Sequence, residues 1–475
     1  MNRTAIILAF FCVFGSQAVL AQNDQGQLLT FEQYMSWVKN EHPLAKNARL
    51  LVDQAEGNLR SARGSFDPQL YGGVNQKRFA GSEYYHISEY GLKVPTWFGI
   101  EGKVAYEYNR GTYLNPENNV PENGLLVAGI KVPVGKRLFM DQRRAQLRKA
   151  QAMTNMSQAE RTLELNQLLQ DAASAYWKWS QANALLNIDQ NALELTQERF
   201  EGIVQSYLGG DLPAIDTTES FLSVQQQQVK VIDARQMVIE AKMELETFLW
   251  KDEVPLELED DMQPQDLTDE VKTKEIVNDS AQSWLNNIYN LHPKLKMNRA
   301  KIQQAQIDRR LKLEKLKPQL DLSYNYLSGY DDYENAELQR AYLNNNYKFG
   351  IDFKMPIFIR DGRGEVAAAN AKLDMANFEM SSEMLNVKNK LNAAINKLIN
   401  LNEQLNIQTE AVINYERLLE AEEIKFDNGE SSVFLINSRQ MKLVSAQEKL
   451  TELQRKHKIA QTKVMELSGV LFRQF

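Results

Sequence analysis

The strongest constraint on the fold of this chain is an internal repeat. The dipeptide His42-Pro43 recurs as His292-Pro293, and Pro68-Gln69-Leu70 recurs as Pro318-Gln319-Leu320. Both recurrences lie 250 positions apart, so the sequence between them aligns without a gap. A duplication of this kind predicts that the two halves fold into the same set of elements.

The repeat continues beyond the first helix of each half. Lys131-Val132-Pro133-Val134 resembles Lys354-Met355-Pro356-Ile357, and each motif precedes a long helical pattern. Further along, Tyr207-x-x-Gly210 resembles Phe426-x-x-Gly429. Each half is therefore predicted to contain, in this order, a helix, strands, a very long helix, a turn and a second long helix.

These patterns predict two structural repeats joined by an acidic linker. The strands of each repeat precede a helical hairpin. We expect a signal peptide at 1–21, a first repeat at 22–250 with strands at 68–134 and a hairpin at 139–250, a linker at 251–277, and a second repeat at 278–475 with strands at 318–357 and a hairpin at 362–470.

Two stretches are too long to be ordinary globular helices. Residues 139–206 and 365–426 contain no proline and almost no glycine. At 1.5 Å per residue, a helix of about 65 residues is about 100 Å long, whereas an average globular helix has three or four turns. Such lengths indicate a coiled coil, a helical repeat or the wall of a tunnel. Further helices are predicted at 30–65, 212–250, 280–316 and 431–470.

Shorter stretches alternate apolar and polar residues with a period of two. Residues 103–109, 319–326 and 347–355 show this alternation, which is typical of strands with one apolar and one polar face. Strands of about ten residues cross a bilayer when tilted, and the apolar set is rich in tyrosine and phenylalanine, as near membrane interfaces. A soluble antiparallel sheet with one wet face is the alternative interpretation.

The number of strands predicts that the chain assembles. We count two strands in the second half and two to four in the first, where residues 92–95 and 102–109 form an extra hairpin around a turn at 96–99. This hairpin lies in a barrel wall, in the periplasm or across the membrane. Lipid cannot hydrogen-bond an open strand edge, and bacterial barrels made of one chain have at least eight strands. Several copies must therefore share one barrel.

The N-terminal residues have the pattern of a secretion signal. Arg3 precedes an apolar run at 5–14, and the small residue Ala21 marks the predicted cleavage site. Lipidation of Cys12, which lies inside the run, is the weaker alternative. No other stretch is apolar enough for a transmembrane helix. Because Cys12 is the single cysteine, the mature chain is predicted to have no disulfide and no thiolate metal site.

Composition and motifs argue against several classes of function. The net charge of −7 does not favour a nucleic-acid partner. No phosphate-binding glycine loop is present. The four histidines are scattered, and His42 and His292 precede prolines, so packing at a helix boundary explains them better than metal ligation. The sequence therefore predicts neither an enzyme nor a bound cofactor or metal.

The order of these motifs resembles that of the TolC-type outer membrane efflux protein family. The resemblance covers about residues 28–470. It rests on five features: the duplicated His-Pro helix, the Pro-Gln-Leu motif at the start of a strand, the strand ending at Val134, the stretch Ala172-Ala173-Ser174-Ala175-Tyr176-Trp177, and two helix-hairpin tips at 207–216 and 426–435.

The resemblance implies an α+β membrane protein with a duplicated helix–strands–long helical hairpin. It implies a homotrimer, in which an outer-membrane β-barrel in contact with lipid is continued by a periplasmic α-helical barrel. A trimer with about twelve strands would close such a barrel, and the sequence leaves open whether each copy contributes four or six strands. It also implies a passive channel that docks a periplasmic adaptor and an inner-membrane pump to export small molecules or polypeptides. The alternative is a periplasmic coiled-coil scaffold without channel activity.

The resemblance further implies that the two tips dock the adaptor and gate the tunnel. The implied tip residues are Tyr207, Gly210, Asp216, Phe426 and Gly429. Each glycine separates two long helices, where a tight reversal favours a residue that tolerates positive φ. The second tip departs from the family pattern, because Leu435 stands where an acidic residue is expected and Ser431 where some members carry arginine.

Overall fold

A computed structural model describes residues 28–268, 276–329 and 346–475, without the side chains of 276–282. The predicted signal peptide with Cys12 and Ala21 lies outside these residues, as does part of the linker. None of the helices in the described ranges is both long and apolar enough to cross a membrane.

The order of elements repeats as the sequence predicts. The helices are α1 (Phe31–Glu41), α2 (Pro43–Gly64), α3 (Gln142–Gly209), α4 (Ala214–Glu246), α5 (Ile276–Leu291), α6 (Pro293–Glu314), α7 (Arg360–Asp427) and α8 (Val433–Ser468). The strands are β1 (Leu28–Leu29), β2 (Gln69–Phe79), β3 (Ser82–Pro95), β4 (Glu101–Arg110), β5 (Leu125–Pro133), β6 (Trp250–Lys251), β7 (Val254–Pro255), β8 (Gln263–Pro264), β9 (Gln319–Gly329) and β10 (Tyr347–Lys354).

The predicted first helix of each half is two helices that meet at the His-Pro dipeptide. The Nδ1 atom of His42 accepts a hydrogen bond from the Leu44 N–H (3.1 Å), and the Nδ1 atom of His292 accepts one from the Lys294 N–H (3.2 Å). The following prolines occupy the first helical turn, where a missing N–H costs nothing. Both histidines are therefore helix N-caps, which confirms their interpretation as boundary residues.

The long helices pack in antiparallel pairs. Helices α3 and α7 each contain 68 residues, which is about 100 Å at 1.5 Å per residue. Helix α4 returns along α3, and α8 returns along α7. Helix α2 packs on α3, whereas α6 packs on both α3 and α7. Because α8 also packs on α3, helices α6 and α8 of the second repeat join it to the first.

The predicted alanine-rich stretch lies in the largest core. Ala172, Ala173 and Ala175 are buried, which lets neighbouring backbones approach closely. The Tyr176 hydroxyl donates to the Leu29 carbonyl (2.6 Å) and accepts from the Gln265 N–H (3.0 Å). Since β1 pairs with β8, this tyrosine ties β1 and the part of the linker beside β8 to the middle of α3.

The six longer strands form one sheet with the order β10-β9-β5-β4-β3-β2. Every neighbouring pair is antiparallel. The extra hairpin predicted in the first half is β3–β4, and it lies inside the sheet between β2 and β5. Strands β5 and β9 bring the two repeats together at the centre of the sheet.

Candidate channel wall and helical tips

One face of the six-stranded sheet is apolar on every strand. Opposed residues in an antiparallel pair share a face, and the register places Leu70, Leu92, Val104, Ala128, Tyr326 and Tyr347 in one row across the sheet. The large exposed side chains of this face are Leu70, Val74, Tyr90, Val94, Val104, Ile130, Tyr324, Tyr347, Phe349, Ile351 and Phe353. Exposed apolar patches of this extent mark a protein or membrane contact.

The opposite face carries charged side chains that pair with one another. Lys103 Nζ lies 2.6 Å from Glu89 Oε1, which also accepts a hydrogen bond from the Tyr71 hydroxyl (2.5 Å). These groups come from three adjacent strands. Because their charges are compensated within the sheet, this face is polar without carrying a single sign of charge.

A second polar cluster lies at the helix-proximal end of the sheet. The Asp321 carboxylate is 2% exposed and accepts two hydrogen bonds from Arg137 (2.8 and 3.1 Å). Lys131 Nζ lies 3.6 Å from the same carboxylate. Asp321 belongs to β9, whereas Lys131 lies two residues before the end of β5 and Arg137 follows that strand. The cluster therefore links the two repeats beside the start of α3.

The first tip ends in a glycine-capped helix. Gly210 has φ 87°, its N–H donates to the Tyr207 carbonyl (3.0 Å), and the Asp211 N–H donates to the Ser206 carbonyl (2.9 Å). This is the Schellman arrangement, in which a left-handed residue favours glycine. Tyr207 is exposed, and the aromatic contact across this hairpin is between Phe200 and Phe221 (5.4 Å between ring centroids).

The second tip repeats the same cap. Gly429 has φ 76°, its N–H donates to the Phe426 carbonyl (2.9 Å), and the Glu430 N–H donates to the Lys425 carbonyl (2.8 Å). An added Cβ would meet no atom within 4 Å at Gly210 or Gly429. Backbone conformation, and not lack of space, therefore explains glycine at both tips.

Asp216 and the polar residues of the second tip are arranged differently. Asp216 lies in the first turn of α4, where the helix dipole favours a carboxylate. At the second tip, Glu422 Oε1 accepts from the Ser431 hydroxyl (2.7 Å) and Glu422 Oε2 from Arg439 Nε (3.2 Å). These two hydrogen bonds, of which the one from Ser431 has the larger effect, hold the pKa of Glu422 below its usual value.

A buried polar contact near the tips was not predicted. Arg199 of α3 donates to Glu423 Oε1 of α7 (2.8 Å) and to the side-chain oxygen of Gln440 in α8. Gln440 Nε2 donates to Thr196 Oγ1 (3.0 Å) and to the Ala192 carbonyl (3.3 Å). Arg199 therefore joins three helices. The only signal in the sequence was an arginine near the end of α3, which does not indicate its partners.

Comparisons with known proteins agree with this architecture. The outer membrane efflux protein family matches residues 284–470, most of the second repeat. No curated protein sequence matches the chain. Among solved structures, the open-state MtrE outer membrane channel of Neisseria gonorrhoeae is 12% identical with a TM-score of 0.64, covering 93% of this chain and 89% of that one.

Two further channels have the same fold. The Campylobacter jejuni CmeC outer membrane channel is 13% identical with a TM-score of 0.60, and the alignment covers 92% of this chain and 85% of that one. The outer membrane protein VceC of Vibrio cholerae is 13% identical with a TM-score of 0.60, covering 92% and 95%. Residues 284–470 thus match the outer membrane efflux protein family, and the chain as a whole has the fold of these outer-membrane channels.

Proposed function

We propose that this chain is the passive channel-tunnel of a tripartite efflux or type I secretion system and works as a homotrimer. After cleavage behind Ala21, the strands of the copies close a barrel in the outer membrane and the long helices continue its wall across the periplasm. A periplasmic adaptor and an inner-membrane pump supply the cargo, small molecules or polypeptides, and the energy.

The observation that carries this proposal is the direct connection between a two-faced sheet and two helices of about 100 Å. Strand β5 ends at Pro133 and α3 begins at Gln142. Strand β10 ends at Lys354 and α7 begins at Arg360. With its apolar face toward lipid and its charged face toward water, the sheet has the properties of a channel wall, and each helix starts where a strand ends.

The alternative of a soluble coiled-coil scaffold fits the sheet poorly. A scaffold in water would expose the whole apolar face, including Phe349, Ile351 and Phe353, each more than half exposed. Monomeric soluble proteins rarely expose such a continuous patch. In a bilayer the same side chains are buried in lipid.

The proposed adaptor contact is at the tips. Tyr207, Gly210, Asp216, Phe426 and Gly429 lie at or beside the two helix reversals, far from the sheet. The exposed Tyr207 and the half-buried Phe426 offer apolar surface to a helical hairpin of the adaptor. Asp216 is proposed to help hold the closed tunnel end.

Channel function is tested by fractionation and reconstitution. The protein should be found in the outer-membrane fraction, require detergent for extraction, and produce stepwise ion conductance when the purified oligomer is added to a planar lipid bilayer. A buffer-soluble, elongated species that conducts no ions would support the scaffold alternative and contradict the proposal.

The tip contact is tested with Gly210→Val and Gly429→Val. Valine strongly disfavours positive φ, so each variant should lose most of the adaptor recovered after in-cell cross-linking, while the oligomer stays in the outer membrane. Gly202→Val is the matched control, because Gly202 lies within α3 without positive φ and with open space around it. Unchanged adaptor recovery in both tip variants would contradict the docking role.

A further inference from the structure

The sheet of a single copy has two open edges, β2 and β10. Six strands that alternate in direction leave edges that run in opposite directions. Nearly every residue of β2 and of β10 is exposed, whereas the inner strands β3 and β9 are mostly half-buried. If copies join edge to edge around a ring, each new contact is therefore antiparallel, like every contact within the chain.

Two of the features that protect strand edges in soluble proteins, proline and a bulge in the middle of the strand, are absent from β2 and β10, while lysines are present in both (Lys77, Lys348 and Lys354). Neither β2 nor β10 contains a proline, and the irregularity in β2 lies near its far end, between Lys77 and Arg78. Unpaired backbone groups that face lipid have no water to hydrogen-bond with, so edges of eight and eleven residues require a partner strand.

We propose that the hairpin β3–β4 is a permanent part of the barrel wall, so that each copy contributes six strands, and that the occupant of each open edge is a second copy, β2 pairing with β10 of its neighbour. This inference rests on the proposed outer-membrane function. Three copies then form a barrel of eighteen strands, whereas four strands per copy would give twelve.

The internal repeat predicts the register of this contact between copies. Within the chain, the last strand of the first repeat, β5, pairs with the first strand of the second, β9, and Ile130 lies opposite Tyr324. The repeat aligns Ile130 with Phe353 and Tyr324 with Val74. Phe353 of one copy should therefore lie opposite Val74 of the next, and both belong to the apolar face.

The added strands change the size of the channel. At a spacing of about 4.8 Å and a tilt of about 40°, eighteen strands close a barrel of about 36 Å diameter and twelve close one of about 24 Å. Barrels of sixteen to eighteen strands leave an open aqueous channel. The duct at the membrane is thus wide enough for bulky cargo.

A cysteine pair tests the contact between copies. In a Cys12→Ser background, Val74→Cys and Phe353→Cys are introduced into the full chain. Within one copy the two positions lie on opposite edges of the sheet, at least about 24 Å apart, too far for a disulfide. Any disulfide therefore joins two copies, and oxidation in isolated outer membranes should give a non-reducing ladder that ends at three chains.

The register has its own control. Within the chain, β10 pairs with β9, and Phe349 lies opposite Tyr324. The repeat aligns Tyr324 with Val74. If β10 of the neighbour paired with β2 in this same register, Val74 would therefore lie opposite Phe349. We expect the pair Val74→Cys with Phe349→Cys to cross-link at least tenfold less than the pair with Phe353→Cys. Equal or reversed yields would overturn the register.

A second pair tests the position of the hairpin in the assembled wall. Val104 of β4 lies opposite Ala128 of β5, so Val104→Cys with Ala128→Cys should form a disulfide within each chain. No disulfide in this pair, in protein that still fractionates with the outer membrane and conducts ions, would overturn the eighteen-strand barrel and leave the proposed function intact. Loss of membrane localisation in the unmodified chain would instead refute the function.

Discussion

The two repeats share their helical framework and differ in their strands. Both contain a histidine N-cap before proline, a 68-residue helix and a glycine-capped tip, but among the residues that the structure describes only the first repeat has an additional hairpin, β3–β4. An antiparallel hairpin returns to the end at which it left, so its insertion between β2 and β5 leaves the direction of β5 and the entry to α3 unchanged. Barrel width can thus change without rebuilding the helices.

The repeats also differ at equivalent polar positions. The repeat aligns Asp321 with Tyr71. Asp321 holds Arg137 and Lys131 across the junction of the repeats, whereas Tyr71 donates to Glu89 within the first repeat. Equivalent positions therefore serve different contacts. Two comparisons of variants at equivalent positions test how far the equivalence of the repeats extends, and a third compares two glycines within the second repeat.

The largest effect is expected from the two N-cap histidines as the pH falls. Burial lowers the pKa of His292 to about 4 and also lowers the pKa of His42. Above pH 6.5 the imidazole of His292 is neutral in both the folded and the unfolded chain. Between about pH 6.5 and 4 the unfolded chain binds a proton that folded His292 does not, so the free energy of unfolding should fall by about 3 kcal/mol.

This prediction is checked by the denaturant midpoint as a function of pH. His292→Asn keeps a side chain that caps helices well but does not titrate, so the decline between pH 6.5 and 4 should shrink. His42→Asn should reduce it less. An identical pH profile for the His292→Asn variant and the unmodified chain would show that His292 is not buried as a neutral N-cap.

The next effect is expected at the junction of the repeats. Asp321→Ala removes a buried carboxylate and its charge-assisted hydrogen bonds, but Arg137 and Lys131 are half-exposed and can regain water. We expect a loss of about 2 to 3 kcal/mol in the free energy of unfolding. Tyr71→Phe, at the equivalent position, removes one hydrogen bond and should cost about 1 kcal/mol. Equal losses in denaturant titrations would contradict the different roles assigned to these positions.

The smallest effect is expected at the second tip. Gly429→Ala places a Cβ at φ 76° and should destabilise the local cap by about 1 kcal/mol. Gly364→Ala, within α7 and without neighbours to its Cβ, should stabilise the helix by up to about 1 kcal/mol. Amide hydrogen exchange on each side of the substitution should change in opposite directions. Faster exchange in both variants would contradict this explanation of the glycines.

Much of the fold could be predicted because its signals are local or repeated. The absence of breakers predicted the long helices, and alternation predicted β4, β9 and β10. The duplicated His-Pro and glycine positions predicted where helices begin and end. In each case the determining interactions lie within a few residues along the chain, so the sequence carries them directly.

The remainder depends on contacts between distant segments. The position of the hairpin β3–β4 in the sheet could not be predicted from the sequence. Strand pairing depends on neighbours such as β2 and β5, which are far apart along the chain. Arg199 meets Glu423 and Gln440 only after α3, α7 and α8 have packed. Part of the linker forms β6, β7 and β8, whose pairs are too short to produce a period-two pattern.

The most direct test of the central claim is the environment of successive residues along β10. Single cysteines at 348 to 353, labelled with a fluorophore in outer membranes, should alternate. Labels at Phe349, Ile351 and Phe353 should be quenched by brominated lipid, and labels at Lys348, Gly350 and Asp352 by aqueous iodide. If lipid quenches none of the six positions, β10 does not cross a bilayer and the account of this chain as a membrane channel is contradicted.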